Sequence, residues 1–139
     1  MGRILALDYG KKRTGVAVSD PLQIIANALE TVPTAQLMPY LKQYLSRESV
    51  DTIVVGKPTR MDGTPSETFA LIEPFAARLR REFPSVEVVY WDERFTSVLA
   101  HRAMIDGGVK KMARRDKAMV DRISATIILQ GFMENKKNG

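Results

Sequence analysis

Cysteine is absent from the 139 residues, which excludes disulfides, thiolate zinc sites and a cysteine nucleophile. Histidine occurs once, at His101, so a multi-histidine metal cage cannot be built and a serine-histidine-aspartate triad would depend on that single ring. Unbroken apolar stretches end after a few residues, far short of the ~18 needed to cross a bilayer. The amino-terminal run meets a carboxylate at Asp8, too early for a signal-peptide core. Internal repeats, low-complexity segments and Pro/Ser-rich linkers are missing as well. What remains is 45% hydrophobic and 27% charged, a balance that suits a globular chain rather than a disordered one. The expectation is one cytoplasmic domain over residues 1–139 with no membrane partner, about 134–139 forming a loose tail.

Positive charge is in excess, with 21 Lys and Arg against 16 Asp and Glu, a formal +5 and an isoelectric point near 9.6. Such a balance attracts polyanions without specifying a fold. Its distribution is uneven. Lys110, Lys111, Arg114, Arg115 and Lys117 crowd into one short stretch, answered only by Asp116, and Lys11, Lys12 and Arg13 form a second cluster. Lysine runs are often only solvated faces; basic clusters around a group of acids point instead to phosphate binding.

Residues 4–8 read as a short strand ending on a carboxylate, and residues 14–19 as a second strand returning antiparallel after the break at Gly10. Asp20-Pro21 turns the chain, and residues 24–32 supply a third strand. Thr34 has the chemistry of a helix N-cap, followed by Leu37, Leu41, Tyr44 and Leu45 at helical spacing. Residues 51–56 are a β-branched run suited to a strand buried on both faces of a parallel sheet. After a loop over 57–65, Ser66 would cap a helix with Phe69, Ile72, Phe75, Ala76 and Leu79 on one stripe, kinked or split at Pro74. Residues 86–91 give a further strand, 96–105 a helix, and a last helix runs from Asp116 to about Met133. This order predicts an α/β fold, a mixed five-stranded sheet with an antiparallel N-terminal hairpin and parallel later strands, flanked by helices.

Three carboxylate positions carry candidate chemistry. Asp8 shares its strand face with Ile4 and Ala6, and a carboxylate in a core row is costly unless bonded or bound to a cation; a simple turn role is the plainer alternative. Asp92 and Glu93 close the later strand and point to opposite faces if it continues, so only one of them should join Asp8; the other would cap the next helix or pair with Arg94. Asp121 lies on the last helix beside a stripe of Val120, Ile123, Ile127 and Gly131, with small neighbours at Ser124 and Ala125. Taken alone it could equally be a solvent salt bridge to Arg122 or Lys117. Carboxylates from two strand ends and a helix face make an oxygen-ligand site for hard divalent cations, whose charge relieves their mutual repulsion. His101 reads as a surface residue, Thr96 and Ser97 as caps, and Trp91 as core rather than a stacking platform, a role also open to Tyr9 and Phe95. The Gly10-x4-Gly15 spacing is not a P-loop, since Val16-Ala17 stand where Lys-Ser/Thr is required.

Together these segments resemble the YqgF/RuvX family, described as Holliday-junction resolvases and as nucleases processing the 5′ end of pre-16S ribosomal RNA. The matching pieces are Leu7-Asp8-Tyr9-Gly10 with Gly15-Val16-Ala17-Val18, Val54-Val55-Gly56-Lys57-Pro58 with Met61-Asp62-Gly63, Asp92-Glu93-Arg94-Phe95-Thr96-Ser97, and residues 117–121 with Ala125-Ile127-Ile128-Leu129-Gln130. They follow one another in family order along almost the whole chain. The resemblance implies an RNase H-like fold and catalytic acids at Asp8, Glu93 and Asp121, with Asp92 as the alternative to Glu93. Larger resolvases of this fold carry a fourth acid on the last helix; here positions 124 and 125 are Ser and Ala.

The expected activity is therefore a nuclease dependent on Mg²⁺ or Mn²⁺, the three acids holding metal. Lys11, Lys12, Arg13, Lys57, Arg94, Lys110, Lys111, Arg114 and Arg115 would bind nucleic acid. Structured RNA is the expected partner, with branched DNA as the alternative and a homodimer as the arrangement that symmetric cutting of a junction requires. Two rivals stand beside it: a non-catalytic RNA-binding module of ribosome assembly, and a phosphotransferase of the actin and sugar-kinase type. The latter needs two related domains around ATP, and this chain has residues for one.

Overall fold

The computed structural model describes residues 2–57, 69–92 and 117–138. Strand β1 (Arg3–Asp8) pairs antiparallel with β2 (Arg13–Ser19), which pairs antiparallel with β3 (Ala26–Pro33). On its other side β1 runs parallel to β4 (Val50–Lys57), and β4 to β5 (Glu87–Asp92). The result is a five-stranded sheet of order β3-β2-β1-β4-β5 with three helices described around it: α1 (Leu37–Arg47), α2 (Phe69–Glu82) and α3 (Lys117–Asn138). This is the mixed α/β architecture of an RNase H-like fold.

Strand alternation divides the core into two layers. Leu5, Leu7, Val16, Val18, Ile53 and Val55 face α1 and α2, meeting Leu37, Leu41, Ile72, Ala76 and Leu79. Ile4, Ala6, Ala17 and Val54 face the other way and meet Ala125, Ile128, Leu129 and Met133 of α3. The central strands are apolar on both faces because helices cover both. Ile53 is fully buried on the interior strand β4. Ile53→Ala, which leaves a cavity in the thicker layer, is expected to destabilise the fold by about 2–5 kcal/mol, read as a lowered denaturant midpoint at unchanged slope.

Several local expectations change. Thr34 begins a single 3-10 turn (Thr34–Gln36) without capping it, because its hydroxyl donates to the Gly10 carbonyl at 2.7 Å. Having spent its one proton there, Thr34 receives the proton of Thr14, 2.9 Å away. Pro74 neither breaks nor splits α2, whose buried residues Ile72, Ala76 and Leu79 lie on both sides of it and hold one element together. The buried stripe of α3 is Ala125, Ile128, Leu129 and Met133, displaced from the one read through Ile123, Ile127 and Gly131, all of which are half-buried. The helix also continues past Met133 to Asn138, over the residues expected as a tail. The Ser66 cap and the helix over 96–105 fall outside the described residues.

The direction of α3 is fixed at its far end. Between β2 and β3 the Asp20 carboxylate accepts the amides of Ile24 and Ile25 at 2.7 and 2.8 Å, which holds its pKa below the usual range. That turn puts Gln23 at φ 59°, its side-chain amide donating to the Gly2 carbonyl at 2.7 Å and its oxygen 3.3 Å from Lys136 Nζ. The C-terminal end of α3 thus lies at the edge where β1 begins. Its N-terminal end points to the edge where β1 ends, at Asp8.

Candidate active site

Asp8 is the last residue of β1 and belongs to the alternating set of Ile4 and Ala6, on the side covered by α3. Its partner on β2 is Gly15, in the set of Ala17. On β4 the register Leu7–Val55 brings Asp8 alongside Gly56, in the set of Val54, and Gly56 in turn pairs with Trp91 on β5. Across the α3 face at this edge the row therefore reads Gly15, Asp8, Gly56, Trp91. Both strand neighbours of the half-buried Asp8 lack side chains. Trp91 closes that row, packed with the α3 layer and edge-on to Phe132 at 6.5 Å. Trp91 is thus half-buried and packed against the core.

Position 121 lies one helical turn before Ala125, in line with the buried stripe of α3. The helix is long enough for this: from Met133 back to position 121 it rises about 18 Å, more than the ~13 Å between Ile4 and Asp8 on β1. The Asp121 side chain itself lies outside the described structure. Position 92 pairs with Lys57 and falls in the alternating set of Val88 and Tyr90, on the α1/α2 side. Glu93, Arg94, Lys110, Lys111, Arg114 and Arg115 lie outside the described residues. Among the described residues there is no group of three or more His, Asp or Glu that could hold a metal.

Lys11 and Lys12 are exposed in the turn that follows Asp8, with Arg13 half-buried at the start of β2. The turn is tight because Gly10 lies against the Arg13 carbonyl, where any Cβ would collide, and Thr34 ties it down through the Gly10 carbonyl. The Thr34 backbone amide adds a bond to the Lys12 carbonyl at 3.0 Å. This bracing escapes a sequence reading, since Thr34 lies 24 residues away from Gly10. Lys57 lies across the sheet from Asp8, its Nζ 5.1 Å above the Phe69 ring. Tyr9, the residue after Asp8, also faces that side and packs on Phe75 with ring centroids 4.9 Å apart.

A family model described as "RuvX: Holliday junction resolvase" matches residues 2–135. The chain belongs to the RuvX family. It is 56% identical over 137 residues to a protein of Parabacteroides distasonis named "Putative pre-16S rRNA nuclease", covering 99% of this chain and 98% of that one. A protein of the same name from Phocaeicola vulgatus is 58% identical over 137 residues, 99% of each chain. Among solved structures, YeaZ from Pseudomonas aeruginosa superposes with a TM-score of 0.48 at 19% identity, over 78% of this chain and 50% of its own. Membership of RuvX makes this chain a nuclease of the RNase H-like type, with nucleic acid as its substrate. Among the described residues no helix is long and apolar enough to cross a membrane.

Proposed function

We propose that this RuvX protein is a divalent-metal-dependent nuclease of the cytoplasm that trims the 5′ end of pre-16S ribosomal RNA, with Asp8, Glu93 and Asp121 as its acids. The observation that carries the reading is the position of Asp8, a carboxylate at a strand end on the α3 side with a glycine on either strand beside it. Position 121 falls in line with the stripe of α3 that packs over that side. Val89 and Trp91 lie on the Asp8 side and position 92 belongs to the other set, so a strand extended by one residue would put 93 on the Asp8 side. This favours Glu93 over Asp92.

A set made only of carboxylate oxygens, in a chain without cysteine and with one histidine, suits Mg²⁺ or Mn²⁺ rather than a softer ion. Bound there, such an ion would lower the pKa of water and offset charge on the leaving oxygen. The residues of the chain position the substrate. Lys11, Lys12 and Arg13 draw the scissile strand towards Asp8, while Lys110, Lys111, Arg114 and Arg115 hold flanking phosphates and Arg94 adds charge beside Glu93. Lys57, steadied on Phe69, meets the strand on the far side of the sheet edge.

A second reading, cutting of branched DNA by a homodimer, draws on the description of the family. One panel decides between them: a 5′-extended 16S precursor, single strands and a four-way DNA junction, each with Mg²⁺, Mn²⁺ or chelator. Precursor cleavage that stops with chelator and returns with added metal is the expected result. Cleavage of the junction alone would transfer the assignment to the second reading, and activity that survives chelation would remove the metal from it.

A further inference from the structure

The proposed chemistry leaves one polar group at the same sheet edge without a task. Tyr9 follows Asp8 directly, so its side chain leaves the opposite face of β1, in the set of Leu5 and Leu7. Its ring is held: it packs against the α1/α2 layer and on Phe75, with an interplanar angle of 38°. Among the described residues its hydroxyl makes no hydrogen bond, and it is not one of the enclosed polar atoms without a partner, on a residue that is half-buried. Continuing the register Leu7–Val55 puts Lys57 beside Tyr9 on the same face. After it comes Gly10, which adds no side chain to the edge.

We infer that the Tyr9 hydroxyl is a phosphate-binding donor for the nucleic-acid strand where that strand passes over the sheet edge from the Asp8 side to the Lys57 side. The inference rests on the nuclease reading given above and adds a binding residue to it. Tyrosine is suited to the place because its ring can be fixed by packing while its oxygen stays available, so little rotamer freedom is lost on binding. Lysine alone supplies charge without a fixed direction. The two together would hold a backbone phosphate with little regard to base identity, which suits a contact beside the scissile position.

The test is Tyr9→Phe, which keeps the ring on Phe75 and removes only the oxygen. Affinity is read by anisotropy with a 5′-labelled RNA hairpin and a DNA hairpin of the same sequence, both in chelator so that nothing is cut. Cleavage of the RNA is then followed with metal. The expected result is about a tenfold rise in Kd on both probes and a matching rise in KM, with kcat little changed and an unchanged melting temperature. Equal affinity in the two proteins would overturn the tyrosine assignment alone. So would a loss in kcat at unchanged Kd, which assigns the oxygen to chemistry, or a loss on RNA only, which assigns it to the ribose hydroxyl. If the unsubstituted protein binds neither probe, the nuclease reading falls with it.

Discussion

Asp8→Asn should lower cleavage by about a hundredfold to a thousandfold, the usual effect of removing one preorganised electrostatic group from a hydrolytic site. The substitution is nearly isosteric, and the adjacent positions on both neighbouring strands are glycines, so the fold should be kept. Binding should be retained or become tighter, because a negative charge that faces the phosphates is gone. The measurements are single-turnover cleavage with Mg²⁺ and hairpin affinity in chelator, on a variant whose melting temperature matches the parent. Cleavage at the parent rate would end the assignment of Asp8, and loss of affinity together with activity would make it a substrate contact instead.

The second large effect is a contrast between adjacent residues. Glu93→Gln should cost as much as Asp8→Asn, whereas Asp92→Asn should leave most of the activity. The reason is the two-residue period of a strand: Val88 and Tyr90 pack on the α1/α2 side and Val89 and Trp91 on the α3 side. A strand running one residue beyond Asp92 sends 93 to the side of Asp8. Parallel cleavage assays on the two variants read the contrast directly. A severe loss from Asp92→Asn with a mild one from Glu93→Gln would mean that the alternation breaks after Trp91, and Asp92 would take the place of Glu93 among the acids.

How far the sequence could be read follows from the range of the forces involved. Strands β1, β2 and β4 announce themselves, since short apolar runs bounded by Asp8, Gly10, Asp20 and Gly56 have few other conformations. The stripe of α3 was harder. Apolar residues occur nearly all round that helix, so periodicity could not choose among its faces, and only the sheet beneath selected Ala125, Ile128, Leu129 and Met133. Thr34 was legible as a hydroxyl at a helix start but not as a brace, because its acceptor is the Gly10 carbonyl on a separate turn. For the candidate site, the place of Asp8 in a core-facing row was legible, and its two glycine neighbours were not, since strand register has to bring them together.

The sequence by itself determined the side chains available to this protein: carboxylates in place of thiolates or a histidine cage, and clusters of basic residues. It also determined the family, because short pieces in the right order along most of the chain constrain it more than any one of them does. Tertiary structure alone decided which residues share a side. Pairing register sets Gly15 and Gly56 beside Asp8, and the antiparallel run of α3, anchored by Lys136 at Gln23, directs its N-terminal turn to the same edge. Those relations span contacts of long sequence separation, and the burial and hydrogen bonds that fix them exist only once the sheet has assembled.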